Sequence, residues 1–508
     1  MEGITRESYS AVTVCQPQIL QIPIKEDIIV PDAKEDVGRI LQCTAVYRPG
    51  EESLEKRRLR FQGELEFTVL YREDTEKGRI HSLRNTVAVE DSLNLEGIAG
   101  EEEKLRVQMN YEVENIRATL LNSRKISLGA LLEAEARISR CTETSVIAGS
   151  TDEELQLCRT KETVSCPTGE VQENRIVRET VAVKEGEPNI AELLWWDSRI
   201  KGRRCRLLED RIEVRGEMEI GILYRDTEDA IQFRSVSVPF TGSADCPGAR
   251  EGQLARVQLH IVKSYIRTAQ DDDGEERLFE TEIVMEMRAQ VFEERERELV
   301  TDAYHIRKDV ELVCPPCSLQ HFVYCAESSL EIIRSLEIPE GLPDAEQVFY
   351  TVGRAHVDDC TVTEDQVLVE GVLYVTVFYR TAPERGLVAA FTEPIPFSKN
   401  LNAPGMKEGQ YFRADAWVET IQVTPSGTRT LELRAGLLID GCGMEEKRLP
   451  VLTELNVSEA DAQNLEELPS AALCFIEPGE SLWEIAKRLH IRPDQLESVN
   501  DFTVLAIR

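Results

Sequence analysis

The chain has 508 residues and a formal net charge of −34, from 93 acidic and 59 basic residues. At the usual size of about 100–200 residues per domain, this length predicts roughly three or four domains. The acidic charge argues against nucleic acids and anionic membranes as partners, because both bind surfaces rich in Lys and Arg.

The N-terminus shows no targeting signal. Residues 1–7 are polar and lack the basic-then-apolar order of a signal peptide. No stretch approaches the roughly 18 apolar residues needed to span a bilayer. We therefore expect the protein to stay in the cytoplasm. The 13 cysteines are odd in number and sit in strand-like stretches, which favours reduced, buried thiols over a closed disulfide framework.

One strand-like motif occurs three times along the chain. The copies span residues 63–72, 216–225 and 371–380. Each begins with Gly and ends in Tyr-Arg, and Tyr71, Tyr224 and Tyr379 are 153 and 155 residues apart. Spacing this regular indicates duplication of a whole domain rather than a solenoid of short repeats.

Each copy of the motif has the two-residue period of a β-strand. In the first, one face carries apolar side chains and the other polar ones: Leu65, Phe67, Val69 and Tyr71 against Glu64, Glu66 and Thr68. Tyrosine at this place is typical of a core residue with its hydroxyl at the rim. The third copy is apolar on both faces, which predicts that both are covered or that one meets a partner.

Turn signals recur around the three motifs. Pro31, Pro188 and Pro343 each open a short upstream segment, interpreted as the first turn of a small helix. Asn122-Ser123, Asp273-Gly274 and Ser426-Gly427 predict a hairpin near the end of each copy. The acidic run 271–276 is interpreted as a charged hairpin tip rather than a calcium loop. Each copy is therefore predicted to be a β-rich, sandwich-like domain of five or more strands.

A Cys-Pro-Pro-Cys sequence lies between the second and third copies. Cys314 and Cys317, with His321 and Cys325 nearby, supply the ligand types of a zinc site. No second paired motif accompanies them, and their spacing matches no zinc family, so a reduced inter-domain linker is the favoured interpretation and a metal or redox site the alternative.

The C-terminal stretch predicts a small helical module. Ser481 and Glu484 have capping-box spacing after a Pro-Gly turn, and an apolar stripe runs from Leu482 to Leu489. Pro493 begins a second helix and Asn500 ends it. This order of strand, two helices and stop residue resembles a LysM module, a βααβ unit. Only residues 501–508 remain for the last strand, so the module is expected to be shortened.

The three repeated units followed by this module resemble the SPOCS domains of spore-coat proteins in endospore-forming Firmicutes. The predicted fold is mainly β, with SPOCS-like domains at 1–147, 148–309 and 310–446, an acidic linker at 447–470 and LysM at 471–508. The resemblance implies a non-enzymatic coat-assembly protein of the mother-cell cytoplasm, recruited to the forespore surface. It implies a stage IV sporulation protein A type ATPase of the coat basement layer, with other coat proteins, as partners.

The LysM resemblance places the binding residues around the turn and the ends of the helices: Pro478, Gly479, Glu480, Ser481, Leu482, Trp483, Lys487 and Asn500. An N-acetylglucosamine-containing glycan such as cortex peptidoglycan is the alternative ligand that the resemblance implies. The sequence contains no phosphate-binding glycine loop, HExxH or GxSxG motif, so no enzyme, cofactor or resident metal is predicted.

Overall fold

A computed structural model describes residues 3–15, 17–75, 78–95, 105–381, 388–457 and 479–499. Apart from two short C-terminal helices, its regular elements are β-strands, all paired antiparallel. The mainly β fold predicted from the repeats is confirmed.

Each repeat folds as two sheets packed face to face. The first strand and the last two form one sheet, with the last strand in the middle, and the three strands between them form the other. In the first domain these are β2 (Gln18–Ile29), β3 (Val37–Glu55), β4 (Arg58–Glu73), β5 (Ile80–Asn94), β6 (Leu105–Asn122) and β7 (Lys125–Ser150). An additional strand, β1 (Ile4–Val14), pairs with the second half of β7.

The second and third domains repeat this order of six strands. The second contains β8 (Leu155–Ala182), β9 (Ile190–Leu208), β10 (Arg211–Asp226), β11 (Ile231–Asp245), β12 (Leu254–Gln270) and β13 (Glu276–His305). The short strand β14 (Val310–Val313) follows it. The third contains β15 (Pro316–Glu337), β16 (Ala345–Thr363), β17 (Gln366–Thr381), β18 (Val388–Asn402), β19 (Tyr411–Pro425) and β20 (Thr430–Pro450). The last strand, β21 (Glu454–Val457), pairs with β14 and lies in the stretch predicted as a linker.

The three copies of the repeated motif form β4, β10 and β17. Each is the central strand of the sheet made by the second, third and fourth of the six strands of its domain. Alternate side chains of β4 face the sandwich core, where Leu65, Phe67, Val69 and Tyr71 are each 0% exposed and pack with apolar residues of β7. The predicted core role of the three repeated tyrosines is confirmed, because all are fully buried. The Tyr379 hydroxyl donates to the Pro343 carbonyl at 2.8 Å.

In each domain, one arginine holds the turn that precedes the sheet with the repeated motif. Arg429, in the turn of the β19–β20 hairpin, donates to the carbonyls of Ile338 at 2.9 Å and Leu342 at 3.0 Å, and to the Asp344 carboxylate at 2.9 Å. Arg124 and Arg277 bind the matching turns of the other domains in the same way. We call these three residues the arginine clamps. The turn signals alone did not predict them.

The clamped turns correct the prediction of a short helix at Pro31, Pro188 and Pro343. Each segment is a single turn, closed by an amide–carbonyl hydrogen bond such as Lys34 N to Pro31 O at 2.9 Å. The first turn begins at Pro31 but the third at Pro339, so the three prolines do not hold equivalent places. The three predicted hairpins are confirmed as the β6–β7, β12–β13 and β19–β20 connections. The acidic run 271–276 is the β12–β13 tip, where Asp271 accepts backbone N–H groups.

The three sheets that contain the repeated motif meet through their outer faces. They form one apolar cluster there, which we call the central cluster. Leu70, Leu223 and Phe378, each directly before a repeated tyrosine, lie in it together. Trp195 and Tyr350 also lie in it, and the Trp195 ring centroid is 5.0 Å from that of Phe378. The second apolar face of the third motif is therefore covered by the other two domains at Phe378, whereas Tyr374 on the same face is 45% exposed.

The long strand ends of the three domains also converge. Ile147 donates its amide to the Leu452 carbonyl at 2.9 Å, and Leu452 donates to Val300 at 2.8 Å. All three side chains are buried, at the ends of β7 and β13 and just after β20. This strand junction places the end of β13 at the surface on which the C-terminal helices lie.

Candidate functional site: the C-terminal helices and their contact with the second domain

The predicted capping box forms at the start of the first helix, α1 (Leu482–Leu489). The Ser481 hydroxyl accepts the Glu484 amide at 3.3 Å, and the Glu484 carboxylate accepts the Ser481 amide at 2.7 Å. Two amides without a partner inside the helix are thereby satisfied. The helix ends at His490, which is left-handed at φ 52°. Pro493 opens the second helix, α2 (Pro493–Val499), as the sequence predicts.

The core of the two helices includes a residue of the second domain. Ile485, Ala486 and Leu496 are buried together with Tyr304 of β13, which is 2% exposed. The Tyr304 hydroxyl donates to the Ile491 carbonyl at 2.6 Å. Helices of seven and eight residues are not stable alone in water, so this contact with β13 stabilises them.

A carboxylate of β13 binds two of the three residues of α1 that are predicted to contact a partner, Trp483 and Lys487. Asp302 Oδ2 accepts the Trp483 indole N–H at 2.8 Å, and Asp302 Oδ1 lies 2.6 Å from Lys487 Nζ. The Tyr304 ring packs edge-on against Trp483, with ring centroids 4.9 Å apart. We call Asp302 and Tyr304 the docking site. The structure thus places Trp483 and Lys487 against the protein's own second domain.

The remaining predicted binding residues take several positions. Gly479 is exposed and has φ 92°, which a Pro-Gly turn requires. Glu480 forms an ion pair with Arg488 at 3.0 Å. Leu482 packs at the edge of the helical core, while Pro478 and Asn500 lie outside the described residues. The structure therefore groups Ser481, Leu482, Trp483 and Lys487 at the start and along the length of α1.

The four candidate metal ligands lie in different environments. Cys314 packs among apolar residues beside the strand junction and Cys317 in a neighbouring cluster, and burial raises the pKa of both thiols. Cys325 forms a disulfide with Cys442, its register partner on β20, which corrects the expectation that it is reduced. His321 of β15 lies opposite Glu445 of β20. Raised thiol pKa values disfavour the thiolate that zinc binding or redox chemistry uses.

One group of acidic residues and a histidine lies beside the docking site. His305 Nδ1 accepts the backbone amides of Arg307 at 3.0 Å and Lys308 at 3.2 Å. Its Nε2 then carries the proton and faces Asp152 at 3.4 Å. Both ring nitrogens are used within the protein, so the group of Asp152, Glu154 and His305 is structural although its atoms lie within metal-binding reach.

A similar group joins the first and third domains. His356 Nδ1 lies 2.7 Å from Glu112, and Nε2 lies 3.5 Å from Asp358. The hydrogen bond to Glu112 raises the pKa of His356 to about 9, so its ring is a cation at neutral pH. A protonated imidazole has no lone pair for a metal, and the group acts as an ion pair between domains.

A buried charged cluster connects the first and second domains, and the sequence motifs gave no sign of it. His81 lies between Glu73 and Glu192, 3.0 Å from each. The bond to Glu192 raises the pKa of His81. Burial alone would raise the pKa of Glu192, but bonds from His81 and Lys34 lower it to about 2. These contacts join the first and second domains through paired polar groups.

Comparison with known families identifies the repeats. A family model described as SipL, SPOCS domain, matches residues 36–121, 189–266 and 344–426. Each segment begins just after the clamped turn and runs through the sheet that contains the repeated motif to the fifth strand of its sandwich. The chain therefore contains three SPOCS domains, as the resemblance predicts. The matched segments do not include residues 471–508, so the LysM assignment stays a prediction. No curated protein and no solved structure matches the chain.

Among the described residues, neither helix is long and apolar enough to cross a membrane.

Proposed function

We propose that the protein is a non-enzymatic adaptor in spore-coat assembly. Its C-terminal module binds a stage IV sporulation protein A type ATPase at the forespore surface, to which the protein is recruited from the mother-cell cytoplasm. The observation that carries this proposal is the match of three SPOCS domains in one chain. The family description points to the spore coat, and the capped helices agree with the LysM order predicted from the sequence.

The architecture supports an adaptor rather than a string of independent binding units. The central cluster and the strand junction bury residues of all three SPOCS domains against one another. Several surfaces held in a defined arrangement bind a partner-coated surface with greater avidity than single modules do.

The test is recovery of the ATPase from sporulating cells with the full chain and with a chain that lacks residues 471–508. We expect the ATPase to be recovered with the full chain and lost with the truncated one. Circular dichroism of the truncated chain checks that its β-domains remain folded. Equal recovery of the ATPase with both chains would exclude the proposed role of the C-terminal module.

Glycan binding through the same module is the second candidate. The Pro-Gly turn and capped helix that favour LysM also favour it, but the Trp483 ring is packed against Tyr304 instead of being open for stacking on a sugar. Sedimentation with purified peptidoglycan separates the two functions. Strong co-sedimentation that Trp483→Ala abolishes would favour glycan binding over the ATPase.

A further inference from the structure

We infer that the face of α1 with Trp483 and Lys487 recognises a carboxylate beside an aromatic ring, that Asp302 and Tyr304 occupy this face within the chain, and that an acidic protein partner binds by displacing them. The displacement step rests on the proposed function, since it concerns the same module. The recognition step rests on the contacts of α1 alone.

The face is built to bind an anion. Trp483 and Lys487 are four residues apart on one helix, so their side chains project side by side. Both supply donors, and they converge on the two oxygens of Asp302 at 2.8 Å and 2.6 Å. Charge-assisted hydrogen bonds of this kind are about twice as strong as neutral ones. The chemistry therefore selects an Asp or Glu side chain rather than a neutral group.

The backbone of β13 directs the docking site towards α1. The register of β13 with β8 shifts between Val300 and Asp302, which leaves Thr301 as an extra residue. A β-bulge of this kind re-aims the side chains that follow it. Asp302 and Tyr304 are two residues apart and point the same way, so both reach the helix.

Only the second of the three copies offers this pair. Hydrogen bonds in the strand junction link Ile147, Val300 and Leu452, which are 153 and 152 residues apart and so hold equivalent places. Two and four residues later, the first copy has Gly149 and Thr151, the second Asp302 and Tyr304, and the third Glu454 and Asn456. The combination of a carboxylate and an aromatic ring is thus specific to one domain.

The contact lies at the protein surface, where a partner can compete for it. The Lys487 and Asp302 side chains are 41% and 30% exposed. Water and an incoming carboxylate therefore reach the ion pair without unfolding of either domain. Because the docked state is intramolecular, it lowers the apparent affinity of α1 for any partner that uses the same face.

The test uses the full chain labelled with 5-fluorotryptophan, whose Trp483 resonance is identified with Trp483→Phe. Asp302→Asn keeps the side-chain shape and the acceptor for the Ala303 amide but removes the charge. We expect it to shift the Trp483 resonance. The matched control is Glu298→Gln on the same strand, whose carboxylate pairs with Arg159 and not with α1, and it should leave that resonance unchanged. An unchanged resonance in Asp302→Asn would refute docking.

Recognition of a carboxylate is tested without the ATPase. The probe is a synthetic peptide with residues 299–306 of this chain, which contains the Asp-Ala-Tyr sequence of the docking site. The Asp302→Asn chain should bind it and return the Trp483 resonance to its original position. The same peptide with Asn for Asp should bind at least about tenfold more weakly, a loss of about 1.4 kcal/mol. Equal binding of the two peptides would refute recognition of the carboxylate.

Displacement is tested with the purified ATPase. We expect Asp302→Asn to bind it about tenfold more tightly than the unmodified chain does, while Glu298→Gln binds as the unmodified chain. Unchanged or weaker binding by Asp302→Asn would refute displacement, since it would mean that the ATPase uses another face or needs Asp302. Failure of every chain to bind the ATPase would refute the displacement step and the proposed partner together, whereas the peptide result would still decide what α1 recognises.

Discussion

Removal of the Phe378 side chain tests whether the three SPOCS domains depend on a common core. Phe378 is 1% exposed and packs in the central cluster against Trp195 at 5.0 Å and Tyr350 at 6.4 Å between ring centroids. Replacing a buried Phe by Ala costs about 3–5 kcal/mol, because it removes apolar burial and leaves a cavity. With at least two aromatic neighbours losing a contact, we expect Phe378→Ala to lower the free energy of unfolding by about 4 kcal/mol.

The assay is urea unfolding followed by circular dichroism and by tryptophan fluorescence. Tyr374→Ala is the matched control, since Tyr374 lies on the same strand but is 45% exposed. It should cost less than about 1 kcal/mol. Because the cluster joins all three domains, Phe378→Ala should lower the transitions seen by both probes together.

Two results would contradict this reasoning. A loss in Phe378→Ala as small as that in Tyr374→Ala would show that the central cluster contributes little to stability. A transition that splits, with part of the signal unfolding at the original urea concentration, would show that Phe378 stabilises the third domain alone, and the three domains would then not share a core.

Three further predictions concern single contacts. The hydrogen bond to Glu112 raises the pKa of His356 to about 9, so this residue should stabilise the fold below about pH 6.5 and lose the effect as pH rises through 9. His356→Gln should therefore lower the free energy of unfolding by on the order of 2 kcal/mol in urea at about pH 6 and by almost nothing at about pH 10. A loss that does not depend on pH would contradict the assignment. Arg429→Met should cost about 2 kcal/mol by the same assay at neutral pH, because it leaves the carbonyls of a clamped turn without donors; a loss under about 0.5 kcal/mol would show that solvent replaces the clamp. Tyr304→Phe removes the hydrogen bond to Ile491 and should cost about 1 kcal/mol, seen as roughly fivefold faster amide exchange in residues 482–489; unchanged exchange would mean that packing alone holds the helices.

The strands, their inner faces and the hairpins were predictable because they rest on local patterns. Alternation of apolar and polar residues fixes the face that Leu65 and Phe67 present, and turn residues fix where β6 and β12 end. The apolar outer face of the third motif also indicated a covering partner. In the structure the second domain covers part of this face, because Trp195 packs against Phe378, while Tyr374 stays exposed.

The prediction of short helices upstream of the motif was wrong, because a proline alone does not show at which position a turn begins. Pro31 suggested a helix start, but Arg124 binds the carbonyls of Val30 and Lys34 and holds the segment as one turn. The arginine lies about 90 residues further along the chain than the turn that it binds, so no local sequence pattern indicates the contact. The disulfide between Cys325 and Cys442 was missed for the same reason, since the register of β15 with β20 decides it.

At the C-terminus, the cap and stripe of α1 were predictable and its neighbours were not. Ser481 and Glu484 are three residues apart, whereas Trp483 and Asp302 are separated by 181. The sequence therefore predicted Trp483 and Lys487, like the other residues of the turn and helix, to be available for contact with a partner. The structure supplies an occupant for them from within the chain.

The three copies differ at the place where the C-terminal helices dock. The arginine clamps keep one residue type in all three domains because each must satisfy the carbonyls of a similar turn. The places after the strand junction carry no such constraint, and only the second copy has a carboxylate and an aromatic ring there. Three identical domains would offer α1 three equal places to bind. Because Asp302 and Tyr304 occur once, the docked C-terminal helices lie at one defined place, beside the second SPOCS domain, and only this domain competes with a partner for α1.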